Sequence, residues 1–104
     1  MYRYNGFKFF IHSNDHKPPH VHVKKAGIEI KVEYYVSGGY ERQKQIPIST
    51  AKYSPSEASD IADFTREYRK DIIAKCDEFF SKGIAPKNEL IHRIRKKKTI
   101  NGNK

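Results

Sequence analysis

The 104 residues suffice for one domain, and 37% hydrophobic against 32% charged residues point to a folded chain with a small core. One cysteine, Cys76, excludes an internal disulfide and fits a reducing compartment. No apolar run approaches the roughly 18–20 residues of a membrane span, and MYRYNGFKFFIHSND lacks a signal peptide's apolar stretch and cleavage site, so a soluble cytoplasmic protein is expected.

The net charge of +9 is unevenly distributed. Residues 82–104 hold eight Lys/Arg and one Glu, whereas residues 1–81 hold thirteen Lys/Arg and eleven Asp/Glu. The body is nearly neutral and a basic tail supplies most of the positive field. That field suits a polyanion or an acidic protein touching the tail.

In chain order, GFKFFIHS (6–13) reads as a first strand, and PPHVHV leads into a second because proline excludes helix and extends the residue before it. KKAG (24–27) reads as a turn, and IEIKVEYYV (28–36) alternates apolar and charged residues at period two, the mark of a strand. SGG (37–39) interrupts it. YERQKQIPI (40–48) forms a further strand, placed at an edge by Pro47. Ser54, Pro55 and Glu57 then spell an N-cap, a first helical residue and the N3 position of a capping box. Apolar residues recur at helical spacing from Ala58 to Phe80, predicting one long helix over about 55–81 that ends at Gly83. The expectation is an α+β domain over residues 1–83, with a small antiparallel sheet of three or four strands against one long C-terminal helix. Residues 84–104 form a basic tail, flexible or ordered by a partner.

The histidines carry the chemistry. NDHKPPHVHV (14–23) holds three of the chain's five, and His12 lies just before it. If KKAG closes the hairpin, Val23 pairs with Ile28, His22 with Glu29, and His20 with Lys31. Val21, Val23, Ile28, Ile30 and Val32 then face the core, while His20, His22, Glu29, Lys31 and Glu33 share the opposite, solvated face. His20 and His22 would project from one side, about 6.6 Å apart along the strand, with Glu29 within about 5.5 Å of His22 at Cβ. Such a face admits a divalent metal on His20 and His22, with Glu29, Asp15 or His16 as further ligands. It equally admits acid–base work by His20 and His22 on a phosphodiester, with Lys31 or Lys24 stabilising the anion. It reads, too, as the outer face of an amphipathic strand. Asp15 and His16 come from the turn SNDH, where Asp15 either orients an imidazole or bonds local backbone amides. Cys76 belongs to the apolar stripe of the helix and reads as buried packing. In the tail, Arg93, Arg95, Lys96, Lys97 and Lys98 suit a phosphate backbone.

NGFKFFIHSNDHKPPHVHV, followed by an alternating strand and YSPSEASDIADFTREYRKDIIAKCDEFF, resembles the small bacterial family known as domain-of-unknown-function family 4160 over about residues 4–81. Cys76 stands where that family usually has Trp, and the basic tail lies outside its pattern. The resemblance implies one half of a two-gene module of the toxin–antitoxin type, and supplies no catalytic residues. The matching positions are Asp15, His16, Pro18, Pro19, His20 and His22. The reading that joins these observations is a toxin-like ribonuclease in which His20 and His22 move protons or hold a metal and Asp15 and His16 complete the site. RNA and an acidic, antitoxin-like protein are the partners expected, without a membrane, and self-association stays open. Two alternatives stand beside it: a non-enzymatic module binding nucleic acid or a partner, and a small metalloprotein.

Overall fold

Alternation along the strands decides which residues meet the helices. In the computed structural model, which describes residues 1–11 and 19–91, the elements in chain order are β1 (Tyr2–Tyr4), β2 (Phe7–Phe10), β3 (His20–Lys25), β4 (Ile28–Ser37), β5 (Tyr40–Pro47), α1 (Pro55–Glu67), α2 (Arg69–Lys82) and β6 (Glu89–Ile91). Phe7, Phe9, Val21, Val23, Ile30, Val32 and Tyr34 project from one side of the sheet and are almost completely buried. Ile61, Phe64, Tyr68, Ile72 and Cys76 of the two helices close over them. Burying an aliphatic or aromatic side chain of this kind stabilises the fold by about 1.5–3 kcal/mol each. Among the described residues no helix is long and apolar enough to cross a membrane.

The α+β class holds, but the sheet is larger than expected. It has six strands in the order β5-β4-β3-β2-β1-β6, antiparallel except for the parallel β1–β6 pair. The first strand predicted over 6–13 is β2, and β1 precedes it through the turn at Asn5 (φ 52°) and Gly6 (φ 83°). Asn-Gly is a strong two-residue hairpin signal, because both residues accept the left-handed region. β6 comes from within the stretch read as tail. It is held by the Glu89 amide donating to the Met1 carbonyl at 2.9 Å and the Met1 ammonium donating to Asn88 Oδ1 at 2.8 Å. β5 lies at the opposite edge, with Pro47 at its end.

One helix was expected where two occur. Ser54 caps α1 with the predicted box: its Oγ accepts from the Glu57 amide and its own amide donates to the Glu57 carboxylate. The break falls at Tyr68 (φ −99°, ψ 16°). No proline or glycine marks it. Thr65 Oγ1 donates back to the Ile61 carbonyl at 2.6 Å, a bond that competes with the helix ladder and bends it. Gly83, in the left-handed region at φ 69°, ends α2 where predicted.

Candidate functional site

The β3–β4 hairpin turns on two residues, Ala26 and Gly27, rather than the four of KKAG, so Lys25 pairs with Ile28. This corrects the expected register by two residues and leaves the faces unchanged. His22 stands opposite Lys31, His20 opposite Glu33, and Glu29 opposite Lys24. Phe10 of β2 flanks His22 on the other side, its ring stacked at 5.5 Å and 24°.

His20 and His22 occupy the face turned away from the helices, with ring centroids 5.2 Å apart and nearly perpendicular at 70°. The Glu29 carboxylate reaches diagonally across the hairpin to within 3.8 Å of His22 Nδ1, an ion-pair distance when that ring is protonated. Lys31 meets Glu33 at 3.2 Å, and Lys44 of β5 meets it from the far side at 3.8 Å. Two imidazoles, two carboxylates and two ammonium groups thus lie within one patch of sheet. The histidines were expected on a solvated face, yet they are 5% and 4% exposed. Alternation sets the side a residue faces but not what lies over it.

Asp15, His16 and His12 lie outside the described residues, as do Arg93, Arg95, Lys96, Lys97 and Lys98. Among the described residues no three His, Cys, Asp or Glu side chains are placed to hold a metal ion. Phe10 was not foreseen at the site, although FKFF carries the signal: its alternation puts Phe7 and Phe9 inward and Phe10 beside His22.

Behind the histidine strand, Cys76 anchors α2 to β3 by donating its thiol to the His20 carbonyl at 3.4 Å. Burial pushes that thiol up to about 11. The neutral thiol is therefore the native form. Its contribution to stability is complete below pH ~9 and is lost as pH rises towards 11, where the unfolded chain ionises and the folded one resists. The expected outcome is a melting midpoint that declines from about pH 9 upward, a decline that Cys76→Ala makes shallower. Alkylation at pH 8 should likewise be far slower for the native chain than for the same chain in urea. A groove of about 980 Å³, walled by α2 residues including Arg69, Ile73, Cys76 and Phe80, lies on the helical side, and none of His20, His22 and Glu29 lines it.

A six-stranded mixed sheet covered on one side by two helices, with a histidine pair on the other, defines a small α+β domain. The chain belongs to the family described as Domain of unknown function (DUF4160), which matches residues 6–76. No curated protein and no solved structure matches it.

Proposed function

We propose that this chain is the toxin-like component of a bacterial two-gene module and cleaves RNA, with His20 and His22 as its acid–base pair. The observation that carries this reading is the 5.2 Å spacing of the two rings together with the Glu29 carboxylate 3.8 Å from His22 Nδ1. Cleavage without a metal needs one imidazole to take the ribose 2′-hydroxyl proton as that oxygen attacks phosphorus. A second imidazole must give a proton to the 5′-oxygen as the P–O5′ bond breaks, leaving a 2′,3′-cyclic phosphate and a free 5′-hydroxyl. The Glu29 carboxylate lies beside His22 Nδ1, placed to orient that ring, and this geometry suits His22 to give the proton and His20 to take one. Lys31, paired with His22 across the hairpin, is a cation on the same face for the phosphorane oxygens. An acidic protein is the partner proposed to neutralise the activity.

The test is growth arrest on expression, together with cleavage of labelled RNA by purified protein. Wild type should arrest growth, and the His20→Ala/His22→Ala double variant should not. Equal arrest by both removes the histidines from the site. Burial of the two rings favours a second reading, a non-enzymatic binding module whose imidazoles brace the sheet. In that case RNA is retained but no cyclic phosphate forms.

A further inference from the structure

The near neutrality of the body conceals a division by layer. The two helices carry seven Asp/Glu and five Lys/Arg. The open face of the sheet presents Arg3, Lys8, Lys24, Lys31, Arg42 and Lys44 against Glu29 and Glu33. Three of these cations form a row: Arg3 pairs with Lys8 across β1–β2, and Lys8 with Lys24 across β2–β3. All three are exposed. Among the described residues none of them makes an ion pair, because Glu29, the acid paired with Lys24, turns its carboxylate to His22. Like charges directly opposite on adjacent strands destabilise a sheet. A row of three, held about 4.8 Å apart from strand to strand, serves an anionic ligand better than it serves the fold.

Aromatic rings are interleaved with these cations on the same face. Lys8 lies over Phe10 at 5.8 Å, Lys44 over Tyr35 at 5.7 Å, and Arg42 over Tyr40 at 5.8 Å. Tyr40 is 70% exposed. Cations that track a backbone and rings that stack on bases are the two components of single-strand recognition. A duplex hides its bases from such a surface.

The geometry points to this open sheet face as the binding platform for single-stranded RNA. The strand would enter over the exposed Arg3–Lys8–Lys24 row and leave past Lys44, Arg42 and Tyr40. The assignment rests on the RNA target of the proposed function but not on cleavage, so binding and turnover test them separately.

Binding of the full chain to a fluorescein-labelled single-stranded RNA, titrated across salt concentrations, reads the number of phosphates engaged. Each contact contributes about 0.7 to the slope of log K against log salt. The Arg3→Ala/Lys8→Ala/Lys24→Ala variant should therefore lose about 2 from that slope and roughly 100-fold in affinity at ~0.1 M salt. Arg66→Ala/Lys70→Ala/Lys82→Ala, which removes the same charge from the helical layer, should keep the slope. Both triples must melt with the wild type, as exposed substitutions do. Equal losses in the two triples reduce the effect to net charge and overturn the proposal. A slope kept by the sheet triple but lost on replacing Arg93, Arg95, Lys96, Lys97 and Lys98 with alanine moves binding to the tail, leaving the RNA reading standing and this one fallen. Binding of polyglutamate without RNA binding overturns both in favour of an acidic protein.

Discussion

Replacing Phe64 with alanine is expected to lower the unfolding free energy by about 3–5 kcal/mol. Phe64 is fully buried and lies at the junction of the sheet and both helices. Its ring stacks on Phe9 at 4.3 Å and on Tyr68 at 4.4 Å, and it meets Tyr4 at 5.1 Å and Tyr2 at 5.4 Å. Each aromatic pair adds about 0.5–1.5 kcal/mol beyond the area it buries, and alanine removes all four contacts at once. A small domain holds only about 5–15 kcal/mol in total, and each kcal/mol moves the melting midpoint by roughly 4–8 °C at this size, so the variant should melt more than about 10 °C below wild type. Phe79→Ala is the comparison. That ring is half-buried, has a ring contact with Phe80 at 5.2 Å, and stands outside the core cluster. Urea denaturation of both variants measures the difference. A larger loss at Phe79 would show that the core is not centred where Phe64 lies.

That centre was only partly legible in the residues. Ser54-Pro55-Ser56-Glu57 announced the start of α1 because a capping box is local chemistry, complete within four residues. The faces of β3 and β4 were legible because period two survives any even shift of register. The register itself was not. It depends on the turn, and there Ala26 takes φ 51°, a conformation that alanine does not advertise. Asn5-Gly6 did advertise its turn, yet a three-residue strand such as β1 carries too little periodicity to stand out. β6 and the break at Tyr68 were hidden for different reasons: the strand is decided by a distant partner, Met1, and the break by the Thr65 hydroxyl turning back to the Ile61 carbonyl, which no proline or glycine announces. The site divides in the same way. Alternation shows that His20 and His22 share a face, but their 5% and 4% exposure depends on tertiary surroundings. The row Arg3–Lys8–Lys24 joins residues far apart in the chain that only strand pairing brings together.

Single replacement of His20 or His22 is expected to slow RNA cleavage by about 10²–10⁴-fold, the usual contribution of one general acid or base. The two losses should not add. A proton taken at one end of the phosphodiester and a proton given at the other belong to one displacement, so the double variant should be only slightly slower than the worse single. Alanine also leaves a hole in a nearly closed site, since both rings are buried and His22 stacks on Phe10. Glutamine separates chemistry from packing: it fills much of the imidazole's volume and hydrogen-bonds, but transfers no proton at neutral pH. The expected result is therefore His20→Gln and His22→Gln proteins that melt close to wild type, bind the same RNA through the sheet cations, and fail to form a cyclic phosphate. Glu29→Gln should behave more mildly, because it leaves both imidazoles in place and removes only the charge 3.8 Å from His22. Cleavage rates that follow the melting temperature alone, regardless of whether a proton carrier is present, would reduce the pair to braces of the sheet. Full turnover in the double glutamine variant would place the chemistry elsewhere on the chain.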